Sequence, residues 1–359
     1  MRLDAHPHAA AVLGAALAQA PNHAYLLAGP AGSGKREAAR AFAAELLAEG
    51  AIDPDGARAR VQSGSHPDLT WIAPSGAHEM IRSDVSESVV AAATRTPFEA
   101  TRRVFVLEHA DVMNDAAANT LLKTLEEPPS YVVLLLLTDR PGQVMPTIAS
   151  RCQYVRFDPQ PADAVAARLE AAGIEPLVAL ACARLSLGDA DRAGWLATKA
   201  GTALRAAAEA FARAPVDGQP WRAVLEAGAA RAAVVGEELE RQRDEEFQYL
   251  PKKEHKRLTT AYGDRIKRSE RGARTATIDH ALQLIGLWYR DLTCVAAGAP
   301  ELAHNADRVA ELRAGVEGRS AAGLRAAVAL TDDVRARLLL NVTEDLALEA
   351  LAFRLARLT

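Results

Sequence analysis

The chain has 359 residues, 42 Lys or Arg against 46 Asp or Glu, and a formal net charge of −4. That length accommodates two or three domains with cores of their own. The charge supplies no overall field toward nucleic acid, so any contact with it must be local. Three widely separated cysteines, Cys152, Cys182 and Cys294, form no C-x-x-C pair. This excludes a disulfide frame and a cysteine zinc site, and it fits a reduced, cytoplasmic protein. No apolar stretch approaches the ~18 residues of a membrane span and no charged-then-apolar leader is present, so neither membrane insertion nor export is expected.

The first chemical signal is Gly29-Pro-Ala-Gly-Ser-Gly-Lys35-Arg36, between the strand-like Ala24–Ala28 and a helix expected from about Lys35 to Glu49. A strand, a glycine-rich turn and a helix N-terminus make a phosphate-binding loop. Gly29, Gly32 and Gly34 let backbone N–H groups turn inward, and Lys35 reaches the outer phosphates. The next position ordinarily carries a Ser or Thr whose hydroxyl holds magnesium. Here it is Arg36, which cannot ligate a metal, so ATP binding remains open while magnesium is doubtful.

Residues 51–65 read as a loop leading to His66-Pro67-Asp68. Leu69–Ala73 reads as a strand, and Ile81–Thr94 as a helix with Ile81, Val85, Val89 and Val90 on one side. Val104–Leu107 and Tyr131–Thr138 are short, nearly unbroken apolar runs ending in polar residues, the pattern of parallel strands covered on both faces. Between them Asn114–Glu127 has helical spacing at Ala117, Leu121, Leu122 and Leu125; Asn114 or Asp115 caps its start and Pro128-Pro129 stops it. The unit is βαβ, with its functional groups expected at the carboxyl ends of the strands.

The strings Asn119-Thr-Leu-Leu-Lys-Thr-Leu-Glu-Glu-Pro-Pro129 and Ser150-Arg151-Cys152 resemble the clamp-loader branch of the AAA+ ATPases, and within it the delta prime subunits of bacterial DNA polymerase III. The resemblance is close over Asn22–Arg192 and loose beyond. It implies a parallel-sheet α/β domain over residues 1–157, a small helical lid over 158–204 and a helical collar for oligomerisation over 205–359. An active relative would place Asp-Glu after the Val104–Leu107 strand. Here Glu108 retains one carboxylate, while His109 replaces the water-orienting one. Thr138 stands where the family places a γ-phosphate sensor, although a threonine at a strand end is also ordinary. Many relatives carry four zinc-binding cysteines where residues 51–65 have none, so no zinc is expected.

Arg151 carries the sharpest implication. In the resembling subunits, Ser-Arg-Cys presents this arginine to a nucleotide on the neighbouring subunit, an effect of order 10³–10⁵ in rate where such arginines act. The plain alternative is a helix cap or a surface ion pair. Arg192, in Gly188-Asp-Ala-Asp-Arg192, resembles the second sensor of the family or simply caps a helix.

Phe157-Asp-Pro-Gln-Pro161 marks a boundary. Helices are then expected at 162–172, 176–185, 191–214, 224–247, 277–292 and 334–358. Lys252–Arg274 holds nine Lys or Arg against three acids; such a run is either a DNA-backbone contact or, more commonly, a solvated helix face. The resemblance implies a stator-like clamp-loader subunit, its own ATPase site degenerate. It would sit beside tau/gamma ATPase subunits and delta, donating Arg151 in trans while the complex loads the sliding clamp onto primed DNA. An autonomous ATPase motor and a nucleotide-binding scaffold in DNA repair are the rivals.

Overall fold

The computed structural model describes residues 6–72, 85, 89–247, 252–338 and 342–358. The chain divides into two compact units, residues 1–160 with 188–190, and residues 161–187 with 191–359.

The first unit is built on a five-stranded, fully parallel sheet in the order β2-β3-β4-β1-β5. Its strands are β1 (Ala24–Ala28), β2 (Leu69–Ile72), β3 (Arg103–Leu107), β4 (Val132–Thr138) and β5 (Gln153–Arg156). Every residue of β1 and β4 is buried, because helices cover both faces. On one face α1 (Pro7–Ala18), α2 (Lys35–Ala48) and α3 (Pro54–Ser63) bring Leu13, Phe42, Leu47 and Val61 onto Tyr25, Leu27, Val104 and Val106. On the other, α4 (Asp115–Glu126) and α5 (Pro146–Ala149) bring Leu121, Leu125 and Ile148 onto Leu26, Phe105, Leu134 and Leu136. Each such side chain contributes roughly 1.5–3 kcal/mol by leaving water. The chain leaves β1 for the far edge and later steps from β4 over β1 to β5. The carboxyl ends of β1 and β4 therefore flank the switch point where doubly wound sheets bind ligands.

Local chemistry sets the element ends. Asn114 accepts from the Ala117 N–H and caps α4. The segment 51–65, expected to be a loop, contains α3: Asp53 caps it by accepting from the Gly56 N–H, Pro54 opens it, and Gly64 closes it in the left-handed region. The carboxylate of Asp68 accepts from the N–H groups of Phe98 (2.6 Å), Glu99 (2.9 Å) and Ala100 (3.0 Å), pinning the turn that enters β3. Burial works to raise its pKa, but these three donors outweigh burial and hold it below the ordinary carboxylate range. Of the helix expected over 81–94, positions 81–84 and 86–88 lie outside the described residues; Val85 and Val89 are buried as expected.

The second unit is helical. It comprises α6 (Ala162–Ala171), α7 (Pro176–Leu185), α8 (Ala190–Leu196), α9 (Lys199–Arg213), α10 (Trp221–Phe247), α11 (Lys252–Ala296), α12 (Val309–Val316), α13 (Ala321–Leu338) and α14 (Glu344–Leu355). One core runs through it: Cys182, Leu185, Leu196 and Leu204 share a cluster with Phe211, Ile278, Trp288, Leu330 and Leu351. Residues from the stretches 158–204 and 205–359, read separately in the sequence, thus share one core. Helix α11 is 45 residues long, about 67 Å at 1.5 Å per residue. It runs unbroken through both the basic stretch 252–274 and the helix expected over 277–292. It lies antiparallel to α10, since Gly228 faces Arg274 and Ile278 while Gly236 faces Glu270. The apolar stretch 334–358, expected as one helix, contributes instead to α13 and α14.

Candidate functional site

The phosphate loop follows β1 and opens α2, as its spacing predicts. Gly29 donates its N–H to the Thr138 carbonyl (3.2 Å). A Cβ at Gly29 would collide with the Phe157 backbone, and Gly32 and Gly34 have φ of +62° and +87°. The glycines are therefore required by close approach and by backbone handedness. The Gly32 carbonyl accepts from Ala190 N–H (3.3 Å) and Gln160 Nε2 (3.4 Å), and the Asp189 side chain packs against Gly32. The Ser33 hydroxyl is buried in the loop without a hydrogen-bond partner.

Both cations of the loop are met by carboxylates of the same chain. Lys35 Nζ donates to the Pro30 carbonyl (3.0 Å) and pairs with Asp139. Arg36 Nε lies 2.8 Å from Oε1 of Glu108, and Trp71 Nε1 donates to that same oxygen. The guanidinium groups of Arg36 and Arg40 lie 5.9 and 4.5 Å from the centre of the Trp71 ring. A magnesium ion does not fit this arrangement. The hydroxyl that would ligate it is absent, and the strand-end carboxylate is taken by a guanidinium and an indole N–H. The glycine cradle with Lys35 and the orphaned Ser33 hydroxyl does fit a phosphate group, provided Lys35 exchanges Asp139 for it. Among the described residues no group of three or more His, Cys, Asp or Glu is placed to hold a metal ion.

At the end of β3, His109 adopts a left-handed backbone (φ +53°), and its Nδ1 stands 3.9 Å from Asp139. That is beyond hydrogen-bond reach. Thr138, fully buried, donates its hydroxyl to Asp111 (2.7 Å) and accepts from the Arg140 N–H (3.0 Å). Arg140 Nε in turn reaches Asp111 at 3.1 Å. His6, not singled out in the sequence, is buried with Nδ1 unpartnered, its ring 5.0 Å from Phe157. Burial lowers its pKa below the ordinary histidine value.

Arg151 lies elsewhere. It sits between α5 and β5, and the parallel register pairs Tyr25 with Gln153. Arg151 is thus level with His23, at the amino end of the strand whose carboxyl end carries Gly29. Six residues separate those levels, roughly 20 Å at ~3.3 Å per residue. Its Nη1 donates to the Thr147 carbonyl (2.9 Å) and Nη2 to Glu126 Oε1 (2.8 Å). Burial pushes the thiol of neighbouring Cys152 up to about 12, so it stays protonated and unreactive. Arg192 belongs to the second unit, where Nη1 donates to Gln283 Oε1 (2.8 Å).

The structure therefore gathers Gly29, Gly32, Gly34, Lys35, Glu108 and Thr138 at one end of the sheet and puts Arg151 at the other. Sequence reading missed Trp71, Asp111, Asp139 and Glu126. Asp139 follows the predicted sensor position and Glu126 lies inside the Leu-Glu-Glu-Pro-Pro string, so their neighbourhoods were marked though their partners were not.

Residues 6–161 match the family model described as DNA polymerase III, delta subunit. Over these residues the chain is similar to the delta prime subunits of DNA polymerase III. The chain is 44% identical over 135 residues to DNA polymerase III subunit delta prime of Pseudomonas aeruginosa, covering 36% of this chain and 41% of that one. It is 34% identical over 169 residues to the Bacillus subtilis delta prime subunit, covering 46% and 51%. The subunit tau of Bacillus subtilis is 37% identical over 144 residues, covering 38% and 24%. The chain thus spans about half or less of the length of these curated relatives. The matched stretch contains the phosphate loop, Glu108, Thr138 and Arg151; residues 162–359, which hold the helical unit, lie outside the family match.

Proposed function

We propose that this protein is a stator-like delta prime subunit of a bacterial clamp loader. It donates Arg151 to ATP bound on a neighbouring subunit, while its own nucleotide site turns nothing over. The observation that carries the reading is the position of Arg151, about six residues down the sheet from Gly29. An arginine there serves no phosphate in its own loop, yet it is partly exposed and held by Glu126 and Thr147. A planar guanidinium so held can meet charge developing on a phosphoryl group brought by another chain.

The two ion pairs of the loop support the second half of the reading. Lys35–Asp139 occupies the cation that an active site leaves for phosphate, and Arg36–Glu108 takes the place of the metal contact. They weigh against an autonomous ATPase motor. On this reading residues 158–204 act as the lid and 205–359 as the collar. The partners are tau/gamma and delta subunits, with the sliding clamp and primed DNA engaged through the complex. Affinity purification of the tagged chain from cell extract is expected to bring along an ATPase subunit with an intact phosphate loop and a clamp-opening subunit. Recovery of a DNA-repair complex without either would favour the scaffold reading instead.

A further inference from the structure

Helix α11 presents a charged face that the clamp-loader chemistry does not use. At 100° per residue, Lys267, Arg268 and Arg271 fall within about 100° of arc. All three are exposed. Ile266 is buried, and Glu270 meets Gly236, so the side of α11 turned to α10 lies away from this arc. Among the described residues none of the three cations has a carboxylate within ion-pair distance, whereas Arg274, one turn on, pairs with Glu344. Lys267 and Arg271 are like charges at i,i+4, and Arg268 and Arg271 stand at i,i+3, spacings that work against an isolated helix. On the neighbouring α10, Glu237, Glu238 and Glu240 are exposed. In a chain of net charge −4 this is a local positive face on a two-helix arm.

We propose that the outward face of α11, carried by Lys267, Arg268 and Arg271, docks against the phosphate backbone of duplex DNA. Charge complementarity along the helix supports this contact. Unpaired cations one turn apart suit a polyanion whose charges recur along its axis, and the exposed Glu237, Glu238 and Glu240 of α10 disfavour approach of that polyanion from their side. The contact reads no bases, since it consists of phosphate neutralisation alone. It stands on this helix geometry and is independent of the Arg151 reading.

The test is fluorescence anisotropy of a short labelled duplex titrated with the full-length chain at 50 and 200 mM salt. Three phosphate contacts give a log–log slope of about −2.7, a loss of affinity of about 40-fold over that range. K267A/R268A/R271A is expected to weaken binding at 50 mM and flatten the slope by about 2.7, with helicity by circular dichroism unchanged. The control R313A/R325A/R354A removes the same charge from exposed positions elsewhere in the unit and is expected to bind like the parent. Equal losses in both variants would reduce the effect to net charge and overturn the proposal. So would absence of duplex binding at 50 mM, or displacement of the duplex by polyglutamate at equal charge, which would point to an acidic protein.

Discussion

At the scale of single residues, Arg36 decides what the loop can do. Its pairing with Glu108 beside Trp71 puts a fixed monovalent cation where a P-loop enzyme recruits magnesium. The isolated chain is therefore expected to hydrolyse ATP at background rate, with K35A making no further difference in a steady-state phosphate-release assay. R36T frees Glu108 and restores the hydroxyl. Nucleotide binding by that variant is expected to become stronger with magnesium than with EDTA, while turnover stays at background because His109 supplies no carboxylate. Turnover by the parent that K35A abolishes would contradict this. His280 offers a separate check within the helical unit. Burial, reinforced by the nearby Arg192, lowers its pKa to about 4, and its Nε2 has no partner. The unfolded chain therefore binds the extra proton between about pH 6.5 and 4, so stability must fall as pH drops through that window. Between pH 7.5 and 5 the loss is about 2 kcal/mol from this residue. Urea denaturation of H280L at the two pH values is expected to show that increment removed.

At the scale of elements, the strands β1, β3 and β4 and the helix α4 were legible because burial on both faces leaves continuous apolar runs, and Asn114 and Pro128 mark the ends of α4. Helix α3 was not legible. Pro54 and Gly56 read as loop residues until Asp53 is recognised as the cap, and only Ala57 and Val61 carry the buried face. The continuity of α11 was hidden for a related reason, since its first half is polar and gives no apolar period. The ion pairs were out of reach altogether: Arg36 and Glu108, or Arg151 and Glu126, meet through strand register and loop path, which the sequence does not encode as a local pattern. Asp68 shows what such long-range contacts contribute. D68N keeps the shape but loses the charge that three backbone donors converge on, so it is expected to destabilise the first unit by about 2–3 kcal/mol in chemical denaturation. Because the folded carboxyl is held low, that contribution is present above the unfolded carboxyl pKa and disappears as pH falls through the folded one. The difference between D68N and the parent should therefore shrink in acid. A constant difference would assign the effect to packing.

At the scale of the whole molecule, the shared core of residues 161–204 with the later helices bears on how the chain can be divided. A fragment ending at Leu204 would strip Cys182, Leu185, Leu196 and Leu204 of their partners. Residues 161–204 of that fragment are expected to be cut rapidly by protease, whereas a fragment 161–359 retains the core and is expected to melt cooperatively. On the proposed function the chain acts on its neighbour's nucleotide through Arg151. The most direct measurement is DNA-stimulated ATPase and clamp loading by the complex reconstituted with R151A. Assembly, followed by size-exclusion chromatography, is expected to be intact, because the side chain is partly exposed and, among the described residues, bonds Glu126 and Thr147. The ATPase rate is expected to fall in part, by the share of the one site facing this subunit, and clamp loading to fall further. R151K should rescue incompletely because it lacks the planar fork. Unchanged ATPase and clamp loading with R151A would contradict the account and leave Arg151 as a structural partner of Glu126.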